Sequence, residues 1–258
     1  MIITRKKFLQ LTGVSALAVA GGKLAGVFAD TVEVSEPGSI TIEAGQRLAM
    51  VIDLVKCSQE DNCTKCIEAC NTAHNVPVAA KHEHRIQWIW KASFKSAFPS
   101  EENEYQSAGL KNLPVPLLCN HCDNPPCVRV CPTKATWKRE EDGIVMMDWH
   151  RCIGCRYCMA ACPYGSRSFN WVDPRPLLAQ ENPDFPTRTK GVVEKCTFCN
   201  DRVAKGELPA CVSSCPQEAM VFGDLGVADS QVRQLLKSRY AIRRKPELGT
   251  KPEVFYLV

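Results

Sequence analysis

The 258-residue sequence contains no Ser-His-Asp arrangement, no phosphate-binding glycine loop and no dinucleotide fingerprint, so nucleophilic, phosphoryl-transfer and hydride chemistry have no visible machinery. No C-x2-C pair is followed at once by histidine, which excludes covalently attached haem. Excess charge of one sign is also missing. Of the net +4, Arg5, Lys6, Lys7 and Lys23 fall in the first thirty residues beside Asp30, leaving 28 basic against 27 acidic residues in the body. So even a balance offers no footprint for nucleic acid and suits docking to other proteins. Beyond the N-terminal segment no apolar run approaches the length of a membrane span.

What is abundant is cysteine: sixteen residues, about 6% of the chain, none of them outside four short groups. These are Cys57, Cys63, Cys66 and Cys70; Cys119, Cys122, Cys127 and Cys131; Cys152, Cys155, Cys158 and Cys162; and Cys196, Cys199, Cys211 and Cys215. The third group, Cys152-Ile-Gly-Cys155-Arg-Tyr-Cys158-Met-Ala-Ala-Cys162-Pro163, matches the bacterial ferredoxin run C-x2-C-x2-C-x3-C-P. In that run a tight loop wraps three thiolates around one cubane, and the fourth cysteine reaches the neighbouring cluster. The second group follows the same logic with a wider loop before Cys127 and closes on Cys131-Pro132.

The first and fourth groups form a second pair, separated by the first pair, in an internal duplication. Disulfides are disfavoured because C-x2-C-x2-C crowds cysteines that need separate partners. Structural zinc has no use for the third close cysteine or the proline. Sixteen thiolates therefore predict four 4Fe-4S clusters, leaving no iron with an open coordination position. Five residues before Cys63 and eleven between Cys199 and Cys211 depart from the ideal spacing, and the first departure leaves open whether that loop holds an ordinary cubane.

Carried through, the ferredoxin arrangement predicts four ligand sets: Cys119, Cys122 and Cys127 with Cys162; Cys152, Cys155 and Cys158 with Cys131; Cys57, Cys63 and Cys66 with Cys215; and Cys196, Cys199 and Cys211 with Cys70. The expected fold is α+β, two nested ferredoxin-like two-cluster modules with short strands, short helices and long loops. Residues 119–163 form the inner module, and residues 30–118 and 164–258 the outer one.

Residues 1–29 read as a leader. Arg5-Lys6 precedes Phe8-Leu9 and an apolar stretch to Gly22, and Val27-Phe28-Ala29 offers small residues to a signal peptidase. The layout resembles a twin-arginine signal with lysine at the second position, a route suited to a protein that crosses already folded around its clusters. Two outcomes stay open. Fifteen apolar residues reach about 22 Å as a helix, short of the roughly 30 Å core, whereas a helix running to Ala29 with Lys23 snorkelling would span and anchor. The expected location is the extracytoplasmic, periplasmic side, attached to the membrane through a complex.

Thr31 to Gly45 reads as an extended arm or hairpin. Leu48–Val55, Ile86–Trp90, Val115–Leu118 and Val254–Val258 read as strands, and Ala135–Lys138 with Ile144–Met147 as a hairpin about Glu141-Asp142-Gly143. Lys95–Leu113 reads as a polar surface insertion, Asp173–Lys190 as a proline-rich loop that cannot be helical, and Ser230–Ser238 as a short helix. His121 and His150 are candidates for donors toward cluster sulfurs, with plain packing as the alternative. Trp137, Tyr157 and Tyr164 are candidates for shielding clusters from water. Trp88, Trp90, Trp149 and Trp171 suit either an interface or the core.

Cys119-Asn-His-Cys122-Asp-Asn-Pro-Pro-Cys127, Asp142-Gly143-Ile144-Val145, Pro163-Tyr164-Gly165, Lys195-Cys196-Thr197-Phe198-Cys199 and Pro209-Ala210-Cys211 together resemble the four-cluster electron-transfer subunits of the molybdoenzyme family. These include the iron–sulfur subunits of dimethyl sulfoxide, polysulfide and tetrathionate reductases. With a leader of its own, the chain is most similar to the ferredoxin-like DsrO type of the Dsr (archaeal Hme) membrane complex of sulfate reducers. That resemblance implies a non-catalytic electron-transfer subunit. It also implies partners: an NrfD-like multi-span, menaquinone-handling membrane subunit of the DsrP type, a multihaem cytochrome c of the DsrJ type, and other Dsr subunits. Tetrathionate or polysulfide reductase and NrfC-like subunits are the alternative.

Overall fold

The computed structural model describes residues 45–78 and 81–258, all within the unit Gly38–Val258. The leader and residues 31–44 of the expected arm lie outside the described residues. The architecture mixes short strands and short helices. In chain order the strands are β1 (Leu48–Asp53), β2 (Ile89–Ser93), β3 (Pro114–Leu118), β4 (Thr136–Lys138), β5 (Val145–Met147), β6 (Ser168–Phe169), β7 (Val193–Glu194), β8 (Met220–Asp224), β9 (Ala241–Ile242) and β10 (Val254–Leu257). They form one four-stranded sheet in the order β8-β1-β10-β9 and three two-stranded ribbons, β2-β3, β4-β5 and β6-β7.

All six residues of β1 are buried, and it is flanked by β10 in parallel and β8 in antiparallel register. A strand covered on both faces reads as a continuous apolar run, which is what Leu-Ala-Met-Val-Ile presents. Leu48, Met50 and Ile52 join the main core with Tyr256 and Phe222, while Ala49 and Val51 pack with Val232 of the helix Gln231–Ser238. Gly223 in β8 lets that helix approach, because a Cβ there would lie 3.3 Å from Val232 Cγ2. The main core also contains Cys66, Cys70, Cys119, Cys196 and Cys211, so the sulfur sites and the apolar interior are one packing problem. Among the described residues no helix is long and apolar enough to cross a membrane.

The hairpin β4-β5 forms where expected, and Ser230 caps the helix Gln231–Ser238 through its hydroxyl. Between Asp173 and Lys190 there is one 3-10 turn, Arg175–Leu177, and no α-helix. Two expectations need correction. The strand expected from Ile86 begins at Ile89 and runs to Ser93, because Gln87 N donates to Ser168 Oγ and Trp88 is turned inward to donate from Nε1 to Glu194. Lys95–Leu113 is no mere surface insertion. Ser93 and Ser107 cap short helices at Phe94–Ala97 and Ala108–Asn112, and Phe94, Ala97 and Phe98 are buried, Phe98 edge-on to Tyr256. The strand expected at Val254–Val258 forms as Val254–Leu257, in the interior of the main sheet between β1 and β9, and the strands β8 and β9 of that sheet were not anticipated.

Candidate metal centres

The cysteine loops repeat one backbone device. The second residue after the opening cysteine of a C-x2-C, His121, Gly154 or Phe198, has positive φ, and so does the second residue after a Cys-Pro, Lys134, Gly165 or Glu218. Left-handed residues at these points curl the chain so that amide N–H groups turn inward toward sulfur. Phe198 N donates to Cys196 Sγ at 3.4 Å, Ala210 N to Cys199 Sγ at 3.4 Å and Ala219 N to Cys215 Sγ at 3.3 Å. Glycine is required at position 154, where a Cβ would stand 2.3 Å from the Gly191 carbonyl oxygen. The first group lacks the device. Its leading cysteine instead ends the helix Leu54–Cys57, capped by the Asp53 carboxylate, which accepts from Val55 N and Lys56 N.

The fold gathers the sixteen thiols into four sets, each taking three from one motif and a fourth from another. Cys119, Cys122, Cys127 and Cys162 line one cavity, and Cys131, Cys152, Cys155 and Cys158 another. Cys70 interacts with Cys196, Cys199 and Cys211 more strongly than with Cys66, its neighbour in sequence. Cys66 faces Cys57, Cys63 and Cys215. Two helix contacts bring this about: Lys65–Ala73 packs on Ala210–Ser213, and Pro126–Arg129 on Tyr157–Ala161.

None of the sixteen cysteines is in a disulfide. Among the described residues no three His, Cys, Asp or Glu side chains close on a point as a lone ion requires. The thiols instead surround spaces. Burial first, and then the neighbouring sulfurs, push Cys66 up to about 11 and Cys122 up to about 12, and raise Cys70 and Cys211 well above the ordinary thiol value. Burial likewise pushes Cys196 up to about 12. Such thiols become thiolates only if cations enter among them, which is what the irons of a 4Fe-4S cluster supply. The donor set fits the group, and the chain carries 4Fe-4S clusters. Cys131 is the exception in sign: burial would raise it, but amides of residues 133, 135 and 136 and the Thr133 hydroxyl hold it below its ordinary value.

Exposure differs across the sets. Cys155 is the exposed cysteine of the sixteen, and Ile153 and Tyr157 beside it are 67% and 62% exposed, whereas Cys70, Cys196, Cys199 and Cys211 are all buried. Tyr157 therefore does not shield its cluster from water, and Trp137 is also exposed. Tyr164 is buried on the wall of the Cys119 cavity, with its hydroxyl on Thr250 Oγ1, which in turn bonds Cys122.

His121 is buried and stacked on Phe198 at 3.7 Å, so the loops of the second and fourth groups touch through these two rings. Its Nδ1 accepts from Val145 N at 3.1 Å, which leaves the proton on Nε2. His150 is exposed. Trp88 belongs to the core, while Trp171 lies outside, under the guanidinium of Arg156.

Sequence reasoning missed Lys195, Arg167 and Arg244, all buried beside these sulfurs. Lys195 adjoins Cys196 and Arg167 follows Pro163-Tyr164-Gly165, but residue type alone argues for a solvated surface and conceals their burial. It also missed His74, buried on helix Lys65–Ala73's C-terminal side, whose Nδ1 lies 3.0 Å from the Cys70 carbonyl and whose Nε2 lies 3.6 Å from Asp201.

The family model for a 4Fe-4S dicluster domain matches residues 110–175 and 183–225. The chain is 42% identical to the Hdr-like menaquinol oxidoreductase iron-sulfur subunit 1 of Archaeoglobus fulgidus, over 99% of this chain and 98% of the relative. It is 38% identical to the iron-sulfur cluster-binding subunit of the menaquinone reductase of Nitratidesulfovibrio vulgaris, over 81% and 87%. It is also 38% identical to a tetrathionate reductase subunit of Salmonella typhimurium, over 98% and 88%. With its thiols gathered in sets and full-length relatives at this identity, the chain belongs to the family of 4Fe-4S iron–sulfur subunits that serve as electron-transfer members of larger oxidoreductase complexes.

Proposed function

We propose that the protein is the extracytoplasmic electron conduit of a Dsr-type membrane complex linked to sulfate reduction. It would work between an NrfD-like quinone-interacting subunit and redox partners that include a multihaem cytochrome c. The observation that supports the conduit reading most directly is the distribution of thiols: four sets, each stitched from two motifs. In this reading the four sets hold four 4Fe-4S clusters. Residues 119–163 form an inner ferredoxin-like module nested within an outer one made by residues 30–118 and 164–258. Each bound cluster supplies a one-electron carrier. The chain's own part is to hold these carriers at fixed places, bury the Cys70 set, and leave the set around Cys155 near the surface where a partner can approach.

The menaquinol and menaquinone relatives favour a quinone-linked complex, and the tetrathionate reductase relative keeps the molybdopterin alternative in play. A twin-arginine-like leader over residues 1–29 would place the folded protein outside the cytoplasm, attached through its complex. Purification of the tagged full chain from native membranes separates the two readings. A haem c protein together with a multi-span protein is expected. Recovery with a molybdopterin subunit instead would replace this reading with the alternative.

A further inference from the structure

Three buried cations gather at the cavity lined by Cys119, Cys122, Cys127 and Cys162. Lys195 has no exposed surface, and Arg167 and Arg244 each keep 5%. Lys195 Nζ donates to the carbonyls of Val145 and Cys196, Arg167 to the Thr136 hydroxyl at 2.9 Å, and Arg244 to the carbonyls of Ala97 and Tyr164 at 3.4 Å. Among the described residues none of the three has a carboxylate at ion-pair distance. Neutral dipoles satisfy the N–H groups but leave the charge itself uncompensated, which is strongly disfavoured in an interior.

What these cations face is sulfur. Lys195 interacts with Cys119, Cys196 and Cys127; Arg167 with Cys127, Cys158 and Cys119; and Arg244 with Cys162. Lys195 and Arg167 are thus shared with neighbouring sets, but all three bear on this one. The more deeply buried set around Cys70 differs, because its Cys199 has the Asp201 carboxylate acting on it alongside the Arg202 cation.

We infer that Lys195, Arg167 and Arg244 are fixed counter-charges that raise the reduction potential of the cluster held by Cys119, Cys122, Cys127 and Cys162 above that of the cluster held with Cys70. Reduction adds one negative charge to a cluster, and a cation already in place in a low-dielectric interior favours that state without reorganisation. Cys162 is only half-buried whereas Cys70, Cys196, Cys199 and Cys211 are all buried, so exposure acts in the same direction as the charges, and variants that remove a charge while leaving the thiols in place separate the two effects. The inference rests on the ligand sets proposed above.

The test is an EPR-monitored redox titration of the purified full-length holoprotein. The Cys162→Ser variant identifies the signal that belongs to this cluster, and Cys119→Ser must perturb the same one. If they perturb different signals the ligand grouping falls, whatever the cations do. With the signal identified, Lys195→Met, Arg167→Met and Arg244→Met should each make its reduction at least tenfold less favourable, about 59 mV for a one-electron couple. Lys195→Arg should stay within threefold of the parent. Charge-removing variants that all retain iron and all stay within threefold would overturn the inference. So would loss of iron from Lys195→Arg as well as Lys195→Met, because the role would then be steric. A Lys195→Met protein that alone loses iron leaves Arg244→Met to decide by the same criterion.

Discussion

Cys70 stands four residues from Cys66 on one helix, yet the two thiols serve different neighbourhoods: Cys66 meets Cys57, Cys63 and Cys215, and Cys70 meets Cys196, Cys199 and Cys211. One helical turn separates them by about 6 Å along the axis, enough for a single helix to feed two sites. The consequence is a specific pattern of iron loss. Cys70→Ser should damage the cluster beside Cys196 before the one beside Cys57. The Cys70→Ser/Cys196→Ser double variant should therefore lose little more iron than Cys70→Ser, whereas Cys70→Ser/Cys57→Ser should lose about twice as much, as expected of independent sites. Iron analysis showing the reverse would return Cys70 to the cluster of its own motif. The ferredoxin run made this sharing legible in the sequence. The residues that polarise the sites were not, because a lysine or arginine is read as exposed until packing shows otherwise.

The loop between Asp173 and Lys190 is tied to residues 73–78 by several contacts, the most deeply buried of which is made by Arg188. Arg188 donates to the carbonyls of His74 and Asn75 and pairs with Glu194 at 2.7 Å, both side chains fully buried. Trp88, Trp149 and Phe185 surround the guanidinium. Asn75 completes the clamp by donating to the carbonyls of Asn182 and Phe185. Breaking a buried pair by removing one partner costs about 3–5 kcal/mol, since the remaining charge stays uncompensated. Arg188→Met should therefore lower stability by roughly that amount, although Glu194 keeps its bonds from Trp88 and Asn170. Chemical denaturation of the holoprotein measures it, and a loss below about 1 kcal/mol would mean the loop is held elsewhere. Four prolines foretold a loop here, but nothing local foretold that its arginine would be an interior anchor.

At the scale of the molecule, the apolar core and the thiol sets are continuous, with cysteines packed among Met220, Phe198 and Phe222. Folding and cluster loading are therefore coupled. Intact protein should contain about sixteen iron atoms per chain if every set holds a cubane, and a value near twelve would single out the lengthened loop before Cys63. Removing iron with a chelator under reducing conditions should abolish protease resistance and native circular dichroism together. Retention of the fold after complete iron loss would show that the sheet β8-β1-β10-β9 and its helix suffice alone. The sheet gives that outcome a physical basis, because β1 is fully buried without help from sulfur on its Ala49 and Val51 face.

The cofactor chemistry and most elements near the cysteines were legible from the chain alone, because ligand spacing is a local property and the C-x2-C-x2-C-x3-C-P run admits few geometries. The hairpin β4-β5 was equally readable, since its turn and alternation lie within a dozen residues. Tertiary structure alone decided what depends on distant chain. It made β10 an interior strand parallel to β1, roughly two hundred residues away, and turned Trp88 inward onto Glu194. It also enclosed Lys195, Arg167 and Arg244 beside sulfur. Burial is conferred by whatever segment packs on top, and no residue's own neighbours in sequence record that.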